Sequence, residues 1–324
     1  MKILFISATN LGDAILTTGA LDHLLRQYPD ADVTVACGPL VTGIFAAVPN
    51  VSNVISMKKE RFAGHWRLLA RATALQKWDI VVDMRNSPLS RVLHTKKRYI
   101  WSRQSKSLHK VEQVGNVIGV SPPPAPRLWF DDASVAAAQK LIPDGLTVLA
   151  IAPAARWPGK TWPGENFAAL ALKLTAADGP LAGAHIAVFA APGEEPIALP
   201  VLQALPEDRR IDLIAKTSPL EAAAALRRCA FYVGNDSGLT HAAAAVGTVT
   251  LGLFGPGYPA LYRPWGMHAA YVATPEDAED LLANAPVNED GKVRVSLMGS
   301  LTVDAAYEAA LRLIERTDAI KRPA

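Results

Sequence analysis

Short apolar runs alternate with amphipathic stretches along the first part of the chain. Lys2–Ser7 is apolar enough to be a buried strand, and Asp32–Cys37 and Val51–Ser56 are the second and third predicted strands. Asp13–Tyr28 places its apolar residues at helical spacing, and Arg67–Gln76 is also helical in pattern. Strands that alternate with helices in this way predict βαβ units and a parallel sheet.

A second series of alternating elements follows residues 122–126, Pro-Pro-Pro-Ala-Pro, which can form neither regular helix nor central strand. The predicted strands are Leu146–Ala152, His185–Ala190, Phe231–Val233 and Thr248–Phe254, and the predicted helices are Glu165–Thr175, Pro219–Ala230, Leu239–Val246 and Thr302–Glu315. We therefore predict two Rossmann-like domains that face a central cleft, over residues 1–125 and 126–300. A last helix, within 301–324, can pack back on the N-terminal domain. Functional residues should lie in the loops after strands, because open α/β sheets bind ligands there.

Composition supports a globular protein of about two domains. The chain has 324 residues, of which 50% are hydrophobic and 19% charged, which excludes a disordered or fibrous protein. No apolar run approaches the ~20 residues of a membrane-spanning helix, and Met1–Ile6 is too short for a signal-peptide core. Cys37 and Cys229 lie far apart without His or Cys at ligand spacing, which argues against a disulfide scaffold or zinc site and favours a cytoplasmic protein.

Charge is distributed unevenly along the chain. Residues 58–110 contain fourteen Lys and Arg but only three acidic residues, a net charge of +11, whereas the whole chain carries +3. Such a segment attracts phosphates, carboxylates or an anionic membrane face. A solvated surface with scattered charges explains the same pattern. No nucleic-acid-binding module is recognisable.

The loop after the first predicted strand places an acidic residue at a helix start. Gly12 permits a tight turn, and Asp13 falls in the first turn of the following helix. An Asp at this position stabilises the helix through its dipole. A carboxylate at the tip of the first strand would also face the cleft, where it could act as a general base. Both interpretations remain open from the residues alone.

The loop over residues 153–163 partly matches a Walker phosphate loop. Ala154 replaces the first glycine, and Pro158 removes an amide that would bind phosphate, so we exclude a P-loop nucleotidase. Arg156 and Lys160 still lie beyond a strand and before a helix. They are either a clamp for a diphosphate or two surface cations.

A third loop, Gly234–Gly238, combines two glycines with polar residues before an alanine-rich helix. Its glycines allow a sharp turn and close approach of a ligand, and the helix N-terminus offers amides to a phosphate. Asp236 could accept hydrogen bonds from ribose hydroxyls. His241 could be a core residue, a phosphate ligand or an acid; we favour a structural or phosphate-facing role. The absence of G-x-G-x-x-G after any strand argues against a dehydrogenase.

Several of these stretches together resemble a known family. Ala215–Glu221, Val233–Gly238 with His241, and Leu253–Pro256 resemble the C-terminal half of the bacterial heptosyltransferases, glycosyltransferase family 9. Asn10–Asp13 and the following helix are similar to that family's first motif. The resemblance covers nearly the whole chain, in order and at plausible spacing.

The resemblance implies an α/β GT-B fold and inverting transfer of a heptose from ADP-heptose to the inner core of lipopolysaccharide. It implies Asp13 as the general base, Lys160 as a diphosphate contact and Asp236 as a contact to the donor ribose or sugar. The predicted donor-binding residues are Arg156, Lys160, Thr161, Asp236, Ser237, Gly238, Leu239 and His241. The predicted acceptor-binding residues are Asn10, Lys58, Arg61, Arg67, Arg85 and Arg103. We expect no cofactor and no metal ion.

The predicted partners are a nucleotide sugar, an anionic lipid-linked saccharide and an anionic membrane surface, without nucleic acid. We expect a cytoplasmic protein that lies peripherally on the inner face of the cytoplasmic membrane. One alternative is a related transferase that uses another nucleotide sugar or polysaccharide acceptor. Another alternative is a non-catalytic protein that binds sugar nucleotides or anionic glycans. The combination of Asp13, Lys160 and Asp236 argues against this second alternative.

Overall fold

A computed structural model describes residues 1–59 and 64–321 of the chain. It divides into two compact units, Met1–Asp131 and Asp132–Ala324. Each unit is built on its own parallel sheet, as predicted. Within the described residues, no helix combines the length and apolar composition needed to cross a membrane.

The first unit contains a five-stranded sheet. Its strands are β1 (Lys2–Ile6), β2 (Asp32–Cys37), β3 (Val51–Ser56), β4 (Trp78–Asp83) and β5 (Thr95–Ile100). Its helices are α1 (Leu11–Gln27), α2 (Thr42–Ala46), α3 (Gly64–Thr73), α4 (Leu89–Val92) and α5 (Lys110–Ile118). The strand order is β3-β2-β1-β4-β5, with all neighbours parallel. The order reverses between β1 and β4, so a ligand is expected beyond the carboxyl ends of these two strands.

Both faces of this sheet are covered by helices. On one face, α1, α2 and α5 bury an apolar core that includes Phe5, Leu21 and Val114. On the other face, α3 and the α4 region bury a smaller core around Leu69 and Leu93. A parallel sheet covered on both sides explains why β1 and β4 read as nearly continuous apolar runs.

The proline-rich stretch 122–126 packs against α1 within the first unit. A Cβ atom added at Gly19 of α1 would lie 2.2 Å from the carbonyl oxygen of Pro124. The amide of Arg127 donates to Thr18 Oγ1 at 3.0 Å. The stretch is therefore held by the first unit, and the division between the units falls after it, at Asp131.

The second unit contains a six-stranded parallel sheet. Its strands are β6 (Val148–Ala152), β7 (His185–Ala190), β8 (Arg210–Ile214), β9 (Phe231–Asn235), β10 (Val249–Phe254) and β11 (Ala269–Ala273). Its helices are α6 (Asp132–Leu141), α7 (Gly164–Thr175), α8 (Glu195–Gln203), α9 (Pro219–Leu226), α10 (Gly238–Ala245), α11 (Pro259–Tyr262), α12 (Ala278–Ala283) and α13 (Val303–Lys321). The order β11-β10-β9-β6-β7-β8 is that of a Rossmann sheet, with its reversal between β6 and β9.

The last helix, α13, belongs to the packing of the second unit. It contacts α7, β10 and β11. Its residues Ala306, Ala310 and Leu313 are buried in the same core as Phe167 of α7. The sequence leaves open whether this helix packs on the N-terminal domain. These contacts are with the second unit, because the small and apolar face of α13 fits against that unit.

Candidate active site

Two loops meet at the point where the strand order of the second sheet reverses. One follows β6 and covers residues 153–163; the other follows β9 and begins at Asp236. Asn235, the last residue of β9, is fully buried between them. Its Nδ2 donates to the carbonyl of Pro153 at 2.9 Å, and its Oδ1 accepts from the amide of Trp162 at 3.0 Å. Asn235 thus fixes both ends of the loop over residues 153–163 to the end of β9.

The loops bring Lys160 and Asp236 together. Lys160 ends a single 3-10 turn, Pro158–Lys160, and its Nζ donates to Oδ2 of Asp236. The Asp236 side chain is only 7% exposed, whereas that of Lys160 is 28% exposed. A Cβ atom added at Gly257, in the loop after β10, would lie 2.5 Å from Oδ2 of Asp236. Gly257 therefore lets a third loop approach this carboxylate closely.

The N-terminus of α10 adjoins this ion pair. Ser237 is the N-cap residue, but its side chain makes no capping hydrogen bond. The amides of the first helical turn, including those of Gly238 and Leu239, have no intrahelical acceptor in an α-helix. Together with the Lys160 ammonium they form an arrangement suited to a phosphate. His241, also within α10, is buried, with 5% of its surface exposed.

The other two predicted donor residues lie in the loop after β6. Arg156 is exposed there. The Oγ1 atom of Thr161 is buried and has no hydrogen-bond partner within the described residues. Thr161 thus retains an unused donor and acceptor directly after Lys160.

In the first unit, Asp13 lies in the first turn of α1, after the loop that follows β1. Asn10 Nδ2 lies 3.3 Å from Oδ2 of Asp13, at hydrogen-bond distance. Lys110, the first residue of α5, is close enough for Asp13 to affect its ionisation. Burial lowers the pKa of Lys110, and the Asp13 carboxylate opposes that shift. The Lys110 Nζ also lies 3.9 Å from the ring centroid of Trp101, which comes directly after β5.

Lys110 and Trp101 are not among the site residues that the sequence predicts. Their contact depends on the edge strand β5, whose charged residues give no apolar pattern, so no signal in the sequence indicates it. Trp101, in the loop after β5, and Lys110, at the start of α5, both follow the carboxyl end of a strand of the first sheet, as Asp13 does at the start of α1. They place a cation, an aromatic face and a carboxylate in one neighbourhood.

Arg85, in the loop after β4, is held in a defined position. Its guanidinium carbon lies 4.7 Å from the ring centroid of Trp66 in α3, and its amide donates to Oδ1 of Asp83 at 2.7 Å. Burial lowers the pKa of Arg85, and the Asp83 charge opposes the shift. Asp83 is fully buried and also accepts a 2.7 Å hydrogen bond from the amide of Ser87. The loop is therefore rigid at the point where it presents Arg85.

The remaining predicted acceptor residues are distributed around this position. Lys58 is exposed and follows Met57, whose Sδ lies 4.0 Å from Nη1 of Arg85. Arg67 is exposed on α3, next to Trp66. Arg103 is exposed in the loop after β5 and has no contact that ties it to Arg85 in the described part of the chain. Arg61 lies outside the described residues.

Residues 1–59 and 64–321 contain no group of three or more His, Cys, Asp or Glu side chains that could hold a metal ion.

Both cysteines are buried, which raises the pKa of the Cys37 thiol, and likewise that of the Cys229 thiol, to about 12. Neither thiol is therefore a thiolate at neutral pH, so neither is suited to nucleophilic chemistry.

Comparisons with known proteins identify the family. The profile of glycosyltransferase family 9 (heptosyltransferase) matches residues 103–283, more than half of the chain. The chain belongs to glycosyltransferase family 9. The resemblance seen in the sequence is thereby confirmed, and the protein is a glycosyltransferase.

Similar proteins match this family 9 chain over most of its length. It is 25% identical to lipooligosaccharide heptosyltransferase 2 of Haemophilus influenzae, over 98% of this chain and 100% of the relative. The solved structure of a family 9 glycosyl transferase from Veillonella parvula superposes with a TM-score of 0.76, at 22% identity, covering 97% of both chains. That of the ADP-heptose lipopolysaccharide heptosyltransferase II of Escherichia coli superposes with a TM-score of 0.74, at 18% identity, covering 98% of this chain and 100% of the other. These similarities confirm the predicted GT-B fold.

Proposed function

We propose that this family 9 glycosyltransferase moves a heptose from ADP-heptose to the inner core of lipopolysaccharide. The similar proteins are named as heptosyltransferases of lipooligosaccharide or lipopolysaccharide, and one of them as an ADP-heptose enzyme. The observation that carries the proposal within this chain is the Lys160–Asp236 ion pair beside the N-terminus of α10. The donor is a substrate, and we expect no cofactor.

The second unit then binds the donor. The diphosphate of the nucleotide attracts the Lys160 ammonium away from Asp236 and receives hydrogen bonds from the first-turn amides at Gly238 and Leu239. The freed carboxylate of Asp236 accepts hydrogen bonds from hydroxyls of the donor ribose or sugar. Arg156 and Thr161 contribute further polar contacts from the loop after β6. The negative charge that develops on the leaving diphosphate is stabilised by the same cation and amides.

The first unit supplies the base. In an inverting reaction, the acceptor hydroxyl attacks the anomeric carbon while ADP leaves from the opposite face of the sugar. The proton of that hydroxyl passes to an Oδ atom of Asp13. Negative charge at Asp13 is stabilised by the N-terminal turn of α1 and by the nearby Lys110 ammonium. Asn10, at hydrogen-bond distance from Asp13, restricts the orientation of its carboxylate.

The acceptor is an anionic lipid-linked saccharide. Lys58, Arg61, Arg67, Arg85 and Arg103 supply cations for its phosphates or acidic sugars. Arg85 has the best-defined geometry, because stacking on Trp66 holds its guanidinium in one place. We propose that the protein is cytoplasmic and works at the inner face of the cytoplasmic membrane, to which the acceptor lipid is anchored.

A transfer assay with the purified full-length protein tests the proposal. The donors are ADP-heptose and ADP-glucose, the acceptor is lipopolysaccharide that lacks heptose, and products are detected by mass spectrometry. We expect addition of one heptose from ADP-heptose, without addition of glucose and without loss of rate in EDTA. The anomeric configuration of the product, determined by NMR, tests inversion. Transfer of another sugar would point to a different family 9 donor, and tight donor binding without transfer would point to a non-catalytic binding protein.

A further inference from the structure

The outer surface of α3 and α4 combines cations with exposed aliphatic side chains. We call it the α3–α4 surface; it consists of Leu68, Arg71, Leu75, Lys77, Arg91 and Val92. The side chains of Leu68, Leu75 and Val92 are 49%, 97% and 79% exposed. Leu69 of α3 is fully buried in the core beneath, so a different side of this helix packs against the sheet. The exposed leucines therefore contribute little to the packing of the first unit.

Two of these residues share one side of α3, and Leu75 and Lys77 follow in the connection between α3 and β4. Leu68 and Arg71 are three residues apart, and Leu75, in the turn that follows α3, is seven residues from Leu68. Val92 projects from α4, which covers the same face of the sheet. A surface with leucines flanked by arginine and lysine is the composition of helices that lie in a membrane interface.

The cations of this surface have no carboxylate partners among residues 1–59 and 64–321. Residues 64–110 contain two acidic residues, Asp79 and Asp83. Asp79 binds Lys96 and the amide of Lys2, and Asp83 is fully buried and accepts hydrogen bonds from its own loop. Within residues 1–59 and 64–321, no carboxylate pairs with Arg71, Lys77 or Arg91; Arg91 donates to Asn86 Oδ1 instead. Within the described residues, the surface therefore carries net positive charge without a carboxylate partner, and an external anion can neutralise it.

We infer that the α3–α4 surface docks onto an anionic lipid bilayer. Phospholipid headgroups supply the missing negative charge, and the acyl boundary accepts the leucine and valine side chains. A nucleic acid would satisfy the cations but would leave Leu68, Leu75 and Val92 without apolar contact. The inference deepens the proposed function, because a membrane-anchored acceptor gives the surface its use. It names the residues that touch the lipid, which differ from those proposed to hold the acceptor saccharide.

Vesicle binding by the full-length protein tests the inference without acceptor or donor. Vesicles of phosphatidylethanolamine with phosphatidylglycerol should bind the protein, and vesicles of phosphatidylcholine should bind it weakly. The Arg71→Gln/Lys77→Gln variant should bind roughly thirtyfold more weakly, since each cation near an anionic surface contributes about 1 kcal/mol. Raised salt should weaken binding by the parent protein, because the Debye length falls to roughly 3 Å at 1 M salt.

The aliphatic contribution is tested separately. Leu68→Ser/Leu75→Ser should lose at least about tenfold in vesicle affinity, because burial of each leucine contributes more than 1 kcal/mol. The matched control is Leu282→Ser/Val287→Ser, which removes two side chains of the second unit that are 41% and 61% exposed. Leu75→Cys carrying an environment-sensitive fluorophore should shift to the blue on anionic vesicles, and Val287→Cys should not. The two native cysteines are buried and should not take the label.

The outcomes separate the inference from the proposed function. Unchanged vesicle binding in both surface double variants, with unchanged thermal midpoints, would overturn the inference. Binding of an RNA or DNA duplex that depends on Arg71 and Lys77, without vesicle binding, would overturn it in favour of nucleic acid. Transfer to a water-soluble truncated acceptor should be unaffected by Leu68→Ser/Leu75→Ser. If the parent protein binds anionic vesicles through this surface but transfers no heptose, the proposed function fails and the inference stands.

Discussion

Lys160 donates a charged hydrogen bond to Asp236 across 76 residues of sequence. The pair joins the loop after β6 to the loop after β9, at the reversal of strand order in the second sheet. Asp236 is almost completely buried, whereas Lys160 keeps part of its side chain exposed. The cation can therefore exchange its carboxylate partner for a phosphate, which would leave Asp236 free to accept hydrogen bonds.

Because of this arrangement, Lys160 should affect both the free energy of unfolding and the affinity for ADP, and the two effects can be measured separately. Lys160→Ala should lower the free energy of unfolding by about 1–3 kcal/mol, because Asp236 then lacks a partner while buried. It should also weaken ADP binding by roughly tenfold or more, since a charge-assisted phosphate contact contributes about 1.5–3 kcal/mol. Lys160→Ala/Asp236→Ala should recover stability but not ADP affinity, as measured by chemical denaturation and calorimetry. Lys216→Ala, which breaks the more exposed pair with Asp212, is the control and should change neither quantity strongly.

Recovery of both stability and ADP affinity in the double variant would contradict this view. It would mean that Lys160 serves only to neutralise Asp236. Equal ADP affinity in all of these variants would remove the donor diphosphate from this loop altogether.

Gly257 tests whether the position of Asp236 matters independently of its charge. A Cβ atom at residue 257 would lie 2.5 Å from Oδ2 of Asp236, so Gly257→Ala must displace that carboxylate. We expect weaker binding of the whole nucleotide sugar by several-fold, because the hydroxyl contacts depend on Asp236. Free ADP should lose as much if those hydroxyls belong to the ribose, and less if they belong to the transferred sugar. Gly299→Ala is the matched control, since nothing lies within 4 Å of a Cβ atom there. Calorimetry with both ligands measures the effect, and an unchanged affinity for the nucleotide sugar in Gly257→Ala would contradict it.

Asp13→Asn should separate chemistry from binding. We expect transfer to fall by about 10²–10⁴-fold, the usual effect of removing a general base, with little change in donor affinity. The control is Asp30→Asn, an exposed residue in the turn between α1 and β2. Single-turnover rates with heptose-free lipopolysaccharide measure the effect. Transfer close to the parent rate would reduce Asp13 to a residue that stabilises the start of α1.

The sequence predicted the inner strands well because they are buried on both faces. Asp32–Cys37 and His185–Ala190 have the predicted bounds. The strands it missed, β5, β8 and β11, all lie at the edges of their sheets. Edge strands are partly solvated, and β5 carries Lys96, Lys97 and Arg98 in place of an apolar run. Such charges prevent an edge strand from pairing with another chain. They also interrupt the run of apolar residues by which a strand is recognised in the sequence.

The dependence on apolar strands also explains which parts of the candidate site could be predicted from the sequence. The loops after β1, β6 and β9 could be located, because each follows an apolar strand and precedes a helix. The Lys160–Asp236 pair could not be derived, since it depends on which strands are neighbours. Lys110 was counted only as one of many cations, because the missed strand β5 left Trp101 without a position.

Lys110 offers a test of the first-unit site that uses pH. Burial lowers the pKa of Lys110, and the Asp13 carboxylate opposes this shift. Asp13→Asn should therefore lower the pKa of Lys110 further and increase the fraction of neutral amine at mildly alkaline pH. We expect faster acetylation of Lys110 in Asp13→Asn than in the parent, with the exposed Lys140 as the internal reference, measured by mass spectrometry across a pH series.

The same shift affects stability in a defined direction. Since the pKa of Lys110 is lower in the folded protein than in the unfolded chain, the unfolded chain holds more protons between the two values. The contribution of Lys110 to the free energy of unfolding therefore rises with pH through that window, and Asp13→Asn should extend the window to lower pH. Lys110→Met should remove this pH dependence while retaining the apolar contact with Trp101. Identical acetylation profiles of Lys110 in the parent and in Asp13→Asn would show that the two side chains do not interact, and would remove Lys110 from the proposed site.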